Sequence, residues 1–300
     1  MSRLARKEEA WFFIFVGPWL VGFLWFTLGP MLTSIWISLT RWDILSPPEY
    51  IGLANYSKLL TADPTFTKAL ANTLYMVVFN VPIHTVGVLA VSMLLAADLR
   101  GIKTLRTIYY LPAILSGVAV AVLWQWLLMP RVGLIDFLLG KIGLVGPQWL
   151  YDPRWSKPGL ILMGLWSVGG GMPIYLAAIK GIPSELYEAA QIDGAGLIGR
   201  FRKITVPMLS PVLFFSVVTG TIGTLQIFVQ SLIMVDPIGG PQESTMFLML
   251  QLYMNAFLYY KWGYASAIAW IIFVIAMALT LLNFVGAKRW VYYEGEVLRG

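Results

Sequence analysis

Between two apolar, charge-free stretches the chain reads Glu188-Ala189-Ala190-Gln191-Ile192-Asp193-Gly194-Ala195, with Phe201, Ile204, Pro207 and Pro211 following. Pro183 and Ser184 mark a helix start. Ser184 is able to cap free backbone N–H groups, and Glu185 is favourable in the first turn. Leu186, Ala189, Ala190 and Asp193 then alternate with polar positions at helical spacing, and Gly194 stops the helix, because the left-handed position that ends a helix favours glycine. A second short helix is expected to carry Arg200, Phe201, Arg202 and Lys203, and Pro207 to open the next apolar segment. The segment is small on one face and charged on the other. Small residues let a partner approach closely, as a force-transmitting contact requires.

Outward from this loop the chain is apolar almost throughout. Of 300 residues, 58% are hydrophobic and 12% charged, and the mean hydropathy is +0.75. A soluble domain of that composition could not cover its surface with polar groups. Six runs are long enough to cross ~30 Å of hydrocarbon as helices: about 11–39, 69–97, 107–129, 158–179, 205–233 and 264–287, none containing Asp, Glu, Lys or Arg. The first is too long for the apolar region of a signal peptide and lacks a small-residue cleavage site, so it reads as a span. The fold class is an all-α integral membrane protein of six transmembrane helices in one domain, 1–300, with a cytoplasmic loop at 181–207.

Orientation follows from basic residues near span ends. With both termini inside, the cytoplasmic face carries Arg3, Arg6, Lys7, Arg100, Lys103, Arg106, Lys180, Arg200, Arg202, Lys203, Lys288, Arg289 and Arg299, thirteen of the twenty-one basic residues. The net charge of +6 requires no nucleic acid, since contact with anionic membrane lipid accounts for it. The outer segments 40–68, 130–157 and 234–263 are rich in Pro, Gly and Trp, as in Trp149-Leu150-Tyr151-Asp152-Pro153-Arg154-Trp155. They read as an interfacial aromatic belt or as a docking surface for an external partner; the two are compatible.

Charge-free spans bear on energy supply. Ion-driven carriers hold their ion with ionisable groups, which are costly in lipid and therefore functional where they occur. Here only His84 is available, between Pro82 and Thr85, and a lone histidine is more often a packing residue than a proton relay. Sodium can still be held by carbonyls at broken helices. No G-x-x-x-x-G-K-[ST] phosphate loop is present, Gly140-Lys141 being followed by Ile142, so the chain does not itself bind ATP in that way. With no cysteine and a single histidine, histidine-paired nucleophiles and metal sites have almost no raw material. The chain is read as non-catalytic, metal-free and cofactor-free, with energy supplied by another polypeptide.

The Glu188–Ala195 pattern, with its following Phe, Ile and Pro, resembles the EAA loop of the transmembrane subunits of ABC importers. Gly181-Ile182-Pro183-Ser184-Glu185-Leu186-Tyr187-Glu188, Phe15-Val16-Gly17-Pro18, Asn72-Thr73, and Gly239-Gly240-Pro241 with Ser244-Thr245 are similar to its carbohydrate-uptake branch, which takes up oligosaccharides, polyols and glycerol 3-phosphate. The resemblance covers nearly the whole chain and implies a type I importer permease in a bacterial or archaeal cell membrane. It implies that Glu188, Ala189, Ala190, Asp193 and Gly194 couple to the ATPase. It also implies the partners: a second homologous permease forming a heterodimer, two cytoplasmic ABC ATPase subunits that bind ATP and Mg, and an extracytoplasmic sugar-binding protein. Met234-Val235-Asp236-Pro237-Ile238 departs from the family's usual approach to the Gly-Gly-Pro turn, which removes that turn from any inference about substrate.

For the solute pathway, Thr219, Gly223, Gln226 and Gln230 recur at spacings of 4, 3 and 4, one face of a helical fifth span. Hydroxyls and amides suit sugar hydroxyls. Polar side chains and small residues such as Gly220 and Gly223 also serve helix packing, and the sequence leaves both readings open. Asn72, Gln125 and Trp166 are weaker pathway candidates. An ion-coupled or passive secondary carrier is the alternative function, and a non-transporting membrane scaffold a third; neither accounts for the loop.

Overall fold

The computed structural model describes residues 3–97, 99–236 and 238–292. Pro237 and Arg299 lie outside them, as do the side chains of Arg3 and Arg6. Helix α1 (Arg3–Phe23) passes through a π-turn into α2 (Gly29–Ser38), and a short hairpin of β1 (Thr40–Arg41) and β2 (Glu49–Tyr50) follows. Next come α3 (Ala54–Thr61), α4 (Pro64–Ala96), α5 (Ile102–Ile114), α6 (Gly117–Leu127), α7 (Leu134–Lys141), α8 (Ser156–Trp166) and α9 (Met172–Lys180). The chain ends with α10 (Ser184–Ile192), α11 (Leu197–Arg200), α12 (Val206–Leu225), α13 (Val229–Met234), α14 (Leu248–Tyr253) and α15 (Trp262–Ala287). Among the described residues, four stretches, Trp11–Ser38, Pro64–Ala96, Leu197–Leu225 and Trp262–Ala287, are long and apolar enough to cross a membrane, and six if each of two bent pairs counts as one span.

The bends depart from the straight spans expected at 107–129 and 158–179. Helices α5 and α6 meet at 100°, because Leu115 and Ser116 are extended, with ψ of 148° and 132°. The second bent pair, Ser156–Gly170 with Met172–Lys180, turns by 50°. Just before this bend a Cβ on Gly169 would lie 1.7 Å from the Tyr109 carbonyl oxygen, so only glycine admits that contact.

The fifth span also differs from expectation. No boundary falls at Pro207; instead α11 runs through a π-turn (Phe201–Thr205) into α12 as one helical stretch. Pro207 lacks an N–H, and a wider turn just before it is a usual way for a helix to accommodate the missing bond. At its far end the helix stops at Leu225, and α13 starts only at Val229. The expected stripe from Thr219 to Gln230 is therefore not one continuous helical face.

The chain divides into two compact units, residues 1–63 with 252–271 and residues 64–251 with 272–300. In the larger, α4 buries Ala69, Asn72, Thr73, Met76, Val81, Thr85, Val88, Ser92 and Leu95, spaced mostly by three or four residues, which marks one helical face. Met76 joins Trp124, Leu128, Leu150, Leu160 and Phe247 in its main apolar core. Hydrogen bonds anchor α4 at both ends of its buried face, while the buried Ser92 hydroxyl between them has no partner among the described residues. Thr73 donates to the Ala69 carbonyl (2.7 Å) and accepts from Leu248 N–H (3.0 Å). Arg106 Nε and Nη2 donate to the Leu95 carbonyl (3.0 and 2.7 Å), closing the C-terminus of α4. In the smaller unit, the hairpin pairs Thr40 with Tyr50 and Arg41 with Glu49. Large side chains such as Phe15, Trp25 and Phe26 are more than 75% exposed, a surface suited to hydrocarbon and not to water.

Candidate functional site

The coupling segment has a defined geometry. Helix α10 begins at Ser184, with Pro183 in the capping position and no side chain capping the free N–H groups, so Ser184 is the first helical residue and not the cap expected for it. The other end is as anticipated. Asp193 N–H donates to the Ala189 carbonyl (3.0 Å), Gly194 N–H to Gln191 (3.1 Å) and Ala195 N–H to Ala190 (2.8 Å), the paired bonds of a Schellman stop. Gly194 carries φ of +78°, with open space where a Cβ would sit.

Around this turn the surface is bare. Glu188, Ala189, Asp193 and Gly194 are exposed and Ala190 is half-buried. Ile192 is 87% exposed, Leu197 79% and Ile198 73%, three branched apolar side chains among Glu185, Glu188, Asp193 and Arg200. Tyr187 OH and Thr205 Oγ1 lie 2.9 Å apart. That hydrogen bond ties α10 to the helix that continues into α12.

Farther along α12 the same unit contains a cavity of about 320 Å³. Ser216, Gly220, Gly223 and Thr224 reach it from α12, Asn80, His84 and Thr85 from α4, and Ser167, Gln226 and Gln230 from the turns and α13. None of its lining residues is Asp, Glu, Lys or Arg. Asn80 Nδ2 donates to Thr224 Oγ1 at 3.4 Å, and Ser167 Oγ to the Gly164 carbonyl at 2.9 Å. Glycine makes room here too, since a Cβ on Gly164 would stand 3.2 Å from Asn80 Oδ1. Such a wall offers hydroxyl and amide partners to a neutral solute without a strong ionic field.

Three members of the expected stripe, Gly223, Gln226 and Gln230, line this cavity although the helix breaks between them. Thr219 does not; its hydroxyl donates back to the Phe215 carbonyl (2.8 Å) on an exposed face. Asn72 is also elsewhere. Its Nδ2 donates to the carbonyls of Glu243 (2.9 Å) and Met246 (3.0 Å), and its Oδ1 accepts from Lys157 Nζ (3.1 Å), a bracing role. Trp166 stacks edge-on with Trp124 at 6.2 Å, and Gln125 does not line the cavity. Asn80, Ser167, Ser216 and Thr224 were passed over in sequence. Their signal was available: each is a polar side chain inside an otherwise apolar span.

Apolar helices around an uncharged polar cavity, with an exposed helix tied to one cavity wall, define a membrane transport subunit. The chain belongs to the family described as binding-protein-dependent transport system inner membrane component, which matches residues 59–290. It is 37% identical over 297 residues to the probable ABC transporter permease protein YesP of Bacillus subtilis, covering 98% of this chain and 96% of that protein. The lactose transport system permease protein LacF of Rhizobium radiobacter is 35% identical, with 96% and 97% covered. Among solved structures, a bacterial alginate ABC transporter in complex with an alginate pentasaccharide-bound periplasmic protein is similar, with a TM-score of 0.80, 25% identity and coverage of 96% and 98%. The family expected from the Glu188–Gly194 loop is the family found.

Proposed function

We propose that the chain is one permease subunit of a sugar importer whose energy comes from ATP hydrolysed in partner chains. The observation that carries this reading is the exposed helix α10 with its Schellman stop, joined through Tyr187 and Thr205 to the helix that walls the cavity. An isolated subunit has no reason to leave Ile192, Leu197 and Ile198 in water. A cytoplasmic ATPase seated there, with Glu188, Ala189, Ala190, Asp193 and Gly194 against it, covers them and turns nucleotide-driven closure into movement of α12. ATP and Mg belong to that partner. A second homologous permease completes the pathway, a sugar-binding protein delivers solute from outside, and both termini face the cytoplasm.

Support for a sugar comes from the uncharged cavity and from the name of the lactose permease relative. The test is uptake of radiolabelled lactose, maltose and trehalose by proteoliposomes holding the assembled transporter. Uptake that requires both ATP on the loop side and binding protein on the other is expected. Uptake by this chain alone down an ion gradient would overturn the proposal.

A further inference from the structure

The smaller unit holds a cavity of about 560 Å³, within the ~300–1,000 Å³ of small-molecule sites. It is formed by two outer segments far apart in sequence, the hairpin region after Thr40 and the turn before α15. Backbone bonds lock them together: Trp262 N–H and Gly263 N–H both donate to the Trp42 carbonyl (2.9 and 3.4 Å). Asn55 Nδ2 donates to the carbonyls of Ser38 and Thr40, each at 2.9 Å. Gly263 packs so tightly that a Cβ would lie 1.9 Å from the Thr40 carbonyl oxygen.

This frame sets Trp42, Tyr259, Tyr260 and Tyr264 around the cavity. Tyr260 has φ of +54°, a region unfavourable to a bulky side chain. Backbone of that kind persists where the surroundings over-determine it, and it gathers at ligand sites.

The charged groups cancel. Arg41, Lys58 and Lys261 face Asp43, Glu49 and Asp63. Arg41 pairs with Glu49 at 3.3 Å, and Asp63 accepts from Tyr264 OH at 2.5 Å. Lys58 and Lys261 each stand 5.4 Å over a tyrosine ring. Asp43 accepts from the Ser46 hydroxyl and N–H, which hold its carboxyl below the usual carboxylate range, so it stays an acceptor. A net-neutral pocket of fixed polar atoms and aromatic faces is poorly matched to an ion. It suits a pyranose ring, whose C–H face lies on an aromatic side chain while its hydroxyls reach carboxylate and amide groups.

We propose that this cavity is a second carbohydrate site, on the outer side of the membrane, taking one neutral glycosyl unit. The inference rests on the sugar-importer reading and its orientation. It is tested with the assembled transporter in lipid nanodiscs, without binding protein, by saturation-transfer NMR using lactose, maltose and trehalose as probes. Transfer to at least one sugar is expected, with affinity lowered about fivefold in Trp42→Ala and again in Tyr259→Leu, the scale of one lost aromatic contact. No transfer in the unmodified transporter, or undiminished affinity in both variants, overturns the site. Should either variant fold poorly by thermal melting, Asp43→Asn takes its place and is expected to weaken the same transfer. ATP-driven uptake of the three sugars is measured in parallel. Uptake without the outer-site signal removes this site alone, whereas no uptake of any of them by the unmodified transporter counts against the sugar-importer reading itself.

Discussion

Replacing Gly194 with valine isolates what the Schellman stop contributes. The backbone there sits at φ of +78° with nothing within 4 Å of an added Cβ, so the substitution meets no neighbour within the chain and acts through backbone conformation alone. For a non-glycine residue the left-handed region costs about 1–2 kcal/mol, a factor of about 5–30 in the fraction of loops holding the turn. Because α10 is exposed, that loss falls on the loop and not on the membrane core. Gly194→Val is expected to insert normally, as judged by immunoblot of washed membranes, while ATP-driven sugar uptake falls several-fold. Gly194→Asn, a residue that tolerates this conformation, is expected to retain most of the uptake. Uptake at the unmodified level in Gly194→Val would refute the reasoning, and equal loss in both variants would show that side-chain space against the partner, not backbone conformation, is what glycine supplies.

Asn72→Ala removes three hydrogen bonds, worth about 0.5–1.5 kcal/mol each; the melting temperature should fall clearly while KM for sugar stays unchanged, and a shifted KM with normal melting would return Asn72 to the pathway. Gly169→Ala drives a Cβ against the Tyr109 carbonyl at 1.7 Å, so membrane-inserted, detergent-stable protein should be lost, as followed by fluorescence-detected gel filtration. Tyr187→Phe removes one hydroxyl pair worth about 0.5–1.5 kcal/mol; ATP hydrolysis by the complex should persist while sugar moved per ATP declines, and an unchanged ratio would mean that force does not pass through this contact.

What the sequence disclosed was local. A run of about twenty apolar residues states its own fate, and the stop at Gly194 depends only on bonds reaching back three to five residues. Breaks governed by distant partners were not legible. The need for glycine at Gly169 comes from Tyr109, sixty residues earlier, whose carbonyl lies against it. The gap between α12 and α13 split a stripe whose spacing fitted a helix, yet Gln226 and Gln230 still reach the cavity because the chain turns back toward it. Asn72 was a weaker pathway candidate by type; its three partners, between 85 and 174 positions away, tie α4 to the segments around Lys157 and Glu243. The aromatic cavity of the smaller unit joins residues near 42 and 260, a proximity no local pattern encodes.

Whether α10 seats a cytoplasmic ATPase is tested most directly by purification of the tagged chain from its own membranes in mild detergent, with identification of co-purifying chains by mass spectrometry, alongside the Ile192→Asp variant. A second permease and a phosphate-loop ATPase are expected with the unmodified chain, and selective loss of the ATPase from Ile192→Asp. Recovery of the chain alone, still moving sugar in vesicles without ATP, would contradict this reading.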